Sequence, residues 1–194
     1  MTQRVADGII GRVSGVVNRG FRILRAAAGA IVEGELESDV LSVLSAQHRQ
    51  VENLFAALEK SQGGETRSSL RDELVEALVL HAAIEEQVFY PTVRAAETED
   101  LVLEAIEEHK AMKRTLLDLV EVSVGDETFQ AKLATLKELV VHHAKQEEEG
   151  KLFPLLRGLM SAEQREALAQ ELTAAMVEAM EGPSPRQRLR DEVG

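Results

Sequence analysis

Along most of this chain the apolar residues return every three or four positions, the period of a helix with one buried face. Leu41, Leu44, His48, Val51, Phe55 and Leu58 lie on one such stripe, and Leu74, Leu78, His81 and Val88 on a second. Val102, Ile106, His109, Met112 and Leu116 form a third, and Leu133, Leu136, Val140, His143 and Glu147 a fourth. In each stripe a histidine takes a position that is otherwise apolar. Punctuation between the stripes predicts the helix ends. Ser38 and Asp39 read as the N-cap region of a first helix that runs to about Ser61 and stops at Gly63-Gly64. A second runs from about Thr66 to Tyr90, ended by Pro91, and a third from near Thr98 to a stop before Gly125. The fourth runs from about Asp126 to Gly158, with Pro154 bending or ending it. Ser161 and Gln164 have the spacing of a capping box, opening a fifth helix that Gly182-Pro183-Ser184-Pro185 closes. The last dozen residues read as a solvated tail.

Composition supports helices and disfavours strands: aromatics are 3%, β-branched residues do not alternate, and proline occurs four times. The fold expected is all-α. An up-down four-helix bundle would occupy residues 38–160, with an extra basic amphipathic N-terminal helix over 1–37 and a C-terminal fifth helix and tail over 161–194. At 44% apolar and 29% charged residues, the chain has the balance of a soluble globular protein. The absence of cysteine excludes disulfides, thiolate metal sites and dithiol redox chemistry, so a metal would have to be held by nitrogen and oxygen.

Charge is unevenly spread. Residues 1–32 carry five Arg against one Asp, +4, which leaves −16 of the net −12 for residues 33–194. The main body is therefore expected to repel nucleic acid. No apolar run approaches the roughly 18–20 residues of a membrane span, and Arg12, Arg19, Arg22 and Arg25 interrupt any secretory signal, so a cytoplasmic protein is expected. In the N-terminal segment Val5, Ile9, Val13, Val16, Leu24 and Ile31 have helical spacing, and Gly11 and Gly15 form a small-x-x-x-small pair. That segment is expected to pack on the bundle or on a second subunit, the alternatives being a membrane or shell surface and a loose extension.

The chain has five histidines, and four of them fall at one level. If the turns join antiparallel neighbours, His48 and His81 each lie about 14–15 residues from the first turn, or about 21–22 Å at about 1.5 Å per residue. His109 and His143 come within about one helical turn of the same plane. His48 and His81 are separated by 33 residues and His109 and His143 by 34, so the bundle reads as two similar helical hairpins. The copies differ slightly: Pro91 follows its histidine by 10 residues and Pro154 by 11. Two of the histidines carry a glutamate four residues on, His81 with Glu85 and His143 with Glu147, and such pairs share a helix face. Burying four imidazoles and two carboxylates without partners would cost several kcal/mol per group, which a bound metal pair would offset.

The pattern H…H-x-x-x-E…H…H-x-x-x-E, with the helix stops FYP and LFP, resembles the hemerythrin-like (HHE cation-binding) family over roughly residues 38–160. The resemblance implies a four-helix bundle holding two iron ions with an oxo or hydroxo bridge. His48 and His81 would bind one iron, His109 and His143 the other, and Glu85 and Glu147 would bridge. The sequence departs from the oxygen-carrying hemerythrins at one position: their third helix has H-x-x-x-H, whereas HKAMK here puts Lys113 where the second histidine belongs. A centre with fewer protein ligands leaves positions open to solvent, peroxide or NO and speaks against simple O2 carriage.

Among the neighbouring groups, Glu52 reads as a boundary salt-bridge residue, Glu86 as a flanking or solvated one, His142 as outward-facing and Tyr90 as helix-end packing. The function expected is a non-heme di-iron protein that binds and processes O2, H2O2 or NO, including catalase-like peroxide breakdown. An iron or oxygen sensor or store without turnover, and iron-sulfur cluster repair, are the alternatives.

Overall fold

The computed structural model describes residues 39–193, and every regular element among them is helical. The N-terminal extension expected over 1–37 lies outside the described residues. The first helix, α1, spans Val40–Lys60; the Asp39 side chain caps it, accepting from the Ser42 N–H at 3.0 Å. The second, α2 (residues 64–93), is built from Gly64–Ile84, a π-helical turn Glu85–Phe89 and a last turn Tyr90–Val93. The third, α3, is Glu99–Glu121. The fourth, α4 (residues 129–159), joins Phe129–Val141, a π-helical stretch His142–Leu152 and Phe153–Leu159. A fifth, α5, spans Ala162–Glu181 and carries the expected capping box: the Ser161 hydroxyl accepts from the Gln164 N–H at 3.2 Å, and Gln164 Oε1 from the Ser161 N–H at 2.8 Å.

Two expectations are corrected. Pro91 does not end its helix, and of the two expectations for Pro154, bending or ending, the ending does not occur; each proline sits just past a π-helical turn, and the helix resumes beyond it. Proline has no N–H to give the ordinary i→i−4 bond, and here the residue before it bonds one position wider, Tyr90 N–H to Glu85 O and Phe153 N–H to Glu148 O. The final residues are also not a solvated tail. They form α6, Pro185–Val193, opened by a proline whose fixed φ suits a helix start. Its Leu189 is buried, while Arg186 pairs with Asp72 and Glu192 with Lys113.

The helices α1 to α4 bury the apolar stripes read from the sequence, and α5 covers one end of them. Leu168, Leu172 and Met176 of α5 join Leu41, Leu44, Phe89 and Phe153 in one core cluster. Each such side chain contributes roughly 1.5–3 kcal/mol by leaving water. This apolar packing fixes the four inward histidines and supplies the dry surroundings in which their nitrogens act. Among the described residues no helix is long and apolar enough to cross a membrane.

Candidate metal centre

His48, His81, His109 and His143 come one from each of the four bundle helices, and all are less than a tenth exposed. Their Nε2 atoms face the bundle axis. His81 Nε2 lies 3.2 Å from Glu85 Oε2 and His109 Nε2 lies 3.3 Å from the same oxygen. His48 Nε2 is 3.1 Å from Glu148 Oε2, and His143 Nε2 is 3.7 Å from it. Two overlapping donor sets result: His48, His81, Glu85 and Glu148, and Glu85, His109 and His143, each with ligand atoms within 4.8 Å of one another. Glu85 belongs to both.

Of the six residues read as ligands from the sequence, the structure brings together five: His48, His81, Glu85, His109 and His143. Glu147 lies elsewhere. Its carboxylate is 2.5 Å from Lys151 Nζ and 3.5 Å from His142 Nε2, on the flank of α4 beside Glu108. Glu148 stands in the centre instead. The cause is the π-helical register from His142 onward, in which i→i+5 neighbours replace i→i+4 neighbours on one face. His81 and Glu85 keep the i, i+4 relation because the π-turn of α2 begins at Glu85.

The outer nitrogens form a closed circuit that sequence reading missed. His48 Nδ1 donates to Glu149 of α4 at 2.8 Å, His81 Nδ1 to Gln47 of α1 at 2.7 Å, His109 Nδ1 to Glu86 of α2 at 2.9 Å, and His143 Nδ1 to Glu108 of α3 at 2.8 Å. Each histidine is thus oriented by the helix before it around the bundle. Every acceptor sits next in sequence to an inward-facing residue. Carboxylates and an amide oxygen accept only, so each Nδ1 carries a proton and Nε2 is the nitrogen left for a metal once the ring is neutral; burial lowers His48, but Glu148 and Glu149 outweigh it and raise that imidazole above its ordinary value.

These inward atoms test the fit of a cation. The Nε2 atoms of His48 and His81, both oxygens of Glu85 and Oε2 of Glu148 are buried without a hydrogen-bond partner. His109 Nε2 and His143 Nε2 face each other at 3.1 Å, an arrangement that two lone pairs resist unless a proton or a cation lies between them. A converging set of imidazoles and carboxylates in a bundle interior suits iron and related divalent ions. The residues therefore fit a bound metal cation.

Burial sets the titration of the same groups. It lifts Glu85 well above the usual carboxylate range, helped by the charge of Glu148 beside it. It also pushes Glu148 up, but His143 and His48 pull harder and hold it low. Burial drives His81 well below the ordinary imidazole value, with His48 adding to it. One carboxylate of the pair thus carries a charge that the surrounding imidazoles already accommodate.

Two flanking residues complete the description. The Tyr90 hydroxyl donates to Glu148 Oε1 at 2.9 Å and lies 3.4 and 3.5 Å from the Nε2 atoms of His109 and His143. Its place inside the centre follows from the π-turn of α2, which turns it inward. Lys113 points away, 2.7 Å from Glu86 and 2.6 Å from Glu192 of α6. Burial would discharge it, but Glu192 and Glu86 more than compensate and raise it. Glu52 pairs with Lys145 at 3.2 Å, and His142 is about half exposed.

A four-helix bundle with inward histidines and carboxylates defines a cation-binding protein. The chain belongs to the hemerythrin HHE cation binding domain family, whose model matches residues 39–156. It is 31% identical over 178 residues to a protein of Nostoc sp. named DNA nickase, a match covering 90% of this chain, and the chain spans half the length of that relative. A match of that extent reaches into the first 38 residues. A crystal structure of a hemerythrin HHE cation binding domain-containing protein from Mycobacterium kansasii superposes with a TM-score of 0.65, covering 73% of this chain and 86% of that one. At 23% identity that likeness concerns the fold.

Proposed function

We propose that this chain is a di-iron protein that binds and processes O2, H2O2 or NO, with His48 and His81 holding one ion, His109 and His143 the other, and Glu85 and Glu148 spanning both. The observation that carries the reading is the set of buried, inward Nε2 lone pairs and carboxylate oxygens with no hydrogen-bond partner. When bound, the iron pair would supply the two-electron capacity for converting two H2O2 to one O2 and two H2O.

The chain's own residues would do the rest. Gln47, Glu86, Glu108 and Glu149 hold the imidazoles in the metal-binding tautomer. Phe153, stacked on the His48 ring at 6.1 Å between centroids, and Phe89 behind it keep water out of the His48 side. Tyr90 supports the His109 and His143 side: its hydroxyl lies 3.4 and 3.5 Å from the two Nε2 atoms and donates its hydrogen bond to Glu148. The −16 charge of residues 33–194 opposes the approach of a polyanion such as the DNA in the Nostoc relative's name.

Metal per chain, measured together with the optical spectrum before and after peroxide, tests the proposal. Two iron per chain and a spectrum that responds to peroxide are expected. Peroxide loss that is the same in wild type and His109→Ala rules out the catalytic form, and a chain that retains no iron rules out the centre.

A further inference from the structure

We infer that small neutral molecules reach the centre through a cavity on the His81 and His109 side, and that Lys113, clamped to the C-terminal helix, controls their access. This rests on the reading of the centre given above. A cavity of about 20 Å³ is lined by His81 and His109 together with Met112, Leu116, Leu136 and Lys113. That is room for one water-sized or diatomic molecule. Its walls are otherwise apolar, which favours O2 or NO over an ion. It touches a histidine from each of the two donor sets, so a molecule held there sits beside both.

On the outer side of Lys113 lies a second pocket, of about 500 Å³, lined by Glu86, Lys110, Lys113, Arg114 and Glu192. Lys113 is the residue common to the two. Its ammonium is held from one side by Glu86, which also orients His109, and from the other by Glu192 of α6. The side chain of Lys113 is 12% exposed and that of Glu192 38%. Glu192 is thus the more solvent-accessible partner of the pair, and it reaches Lys113 from a separate helix. The residue that replaces a histidine at this position thus acquires a task of its own: it separates the outer pocket from the inner cavity.

The test uses the full chain loaded with iron and reduced, mixed anaerobically with nitric oxide in a stopped-flow instrument. Iron per chain and hydrogen exchange across residues 185–193 are measured in parallel. Glu192→Gln, which touches no proposed ligand, and Lys113→Met are expected to raise the NO association rate on the order of tenfold or more, since a minor open state is populated at roughly 10% or less. Glu192→Gln is also expected to speed exchange across α6, while iron content stays at the wild-type level. Leu116→Phe, which fills the cavity, is expected to slow association. Iron-replete Glu192→Gln and Lys113→Met chains that bind NO at the wild-type rate overturn the gate alone. A wild-type chain that takes up no iron overturns the centre and the gate together.

Discussion

Exchanging Glu148 for glutamine separates the two registers available to the fourth helix. Glu148 is 1% exposed, and its Oε2 lies 3.1 Å from His48 Nε2 and 3.7 Å from His143 Nε2, so this carboxylate belongs to the His48 and His81 donor set and also faces His143. An amide keeps the volume and removes the charge that a cation would meet. Loss of a group that merely orients a metal ligand costs about 10–100-fold in affinity, so loss of a carboxylate standing among the inward donor atoms is expected to cost at least about 100-fold, or about 2.7 kcal/mol at about 1.36 kcal/mol per tenfold. Glu147 gives the contrast. It is tied to Lys151, whose side chain is 51% exposed, and such a pair is worth about 0–1 kcal/mol. Glu147→Gln should therefore change metal affinity by less than about fivefold. Both variants are purified, competed against a chelator of known affinity and analysed for metal per chain, with thermal melts of the metal-free forms as the control for folding. If Glu147→Gln loses its metal while Glu148→Gln keeps it, the helix is in the ordinary α register and the π-helical account of the centre is wrong.

Three further substitutions probe the surroundings. Gln47→Leu removes the acceptor that fixes the His81 tautomer and should weaken metal binding about 10–100-fold without altering the helical content seen by circular dichroism. Tyr90→Phe keeps the ring and deletes the hydrogen bond to the Glu148 carboxylate, so the metal-free chain should lose about 1.5–3 kcal/mol, a fall of roughly 3–12 °C in Tm, with iron retained; an unchanged Tm would show that this contact does not support the fold. At Gly150 an added Cβ would stand 2.9 Å from the Lys145 carbonyl oxygen, so Gly150→Ala should cost about 1–3 kcal/mol in chemical denaturation and weaken metal binding, whereas a neutral substitution would mean that the wide turn does not need its glycine.

The bundle and five of the central residues were legible because they obey a fixed period. Leu41, Leu44, His48, Val51, Phe55 and Leu58 share a face at any point along an unbroken α-helix, so counting suffices. Counting fails where the period changes. Glu147 is the i+4 neighbour of His143, and only a turn that admits one more residue brings Glu148 round instead. A trace of this was present in the chain: counted back from the prolines, EEQVFYP and EEGKLFP align without a gap, pairing Glu85 with Glu148 and Glu86 with Glu149. The extra residue lies between histidine and glutamate, and it is why Pro154 follows its histidine by 11 positions where Pro91 follows by 10. Tyr90 was invisible for the same reason. In the α register it would fall off the inward face. The terminal helix was missed because a short charged segment carries only Leu189 and Val193 as aliphatic residues, one i, i+4 step and too little to set a period.

The circuit of outer hydrogen bonds also speaks to descent. Each hairpin supplies one acceptor to itself and one to the other, Gln47 and Glu86 from the first, Glu108 and Glu149 from the second. A polypeptide of half this length could close the same circuit by associating with its own copy, so the bundle has the geometry of a fused homodimer. Once fused, the halves are free to diverge one position at a time, and they have: Tyr90 of one corresponds to Phe153 of the other, and Lys113 to Glu52. The two donor sets held by such a frame need not behave alike.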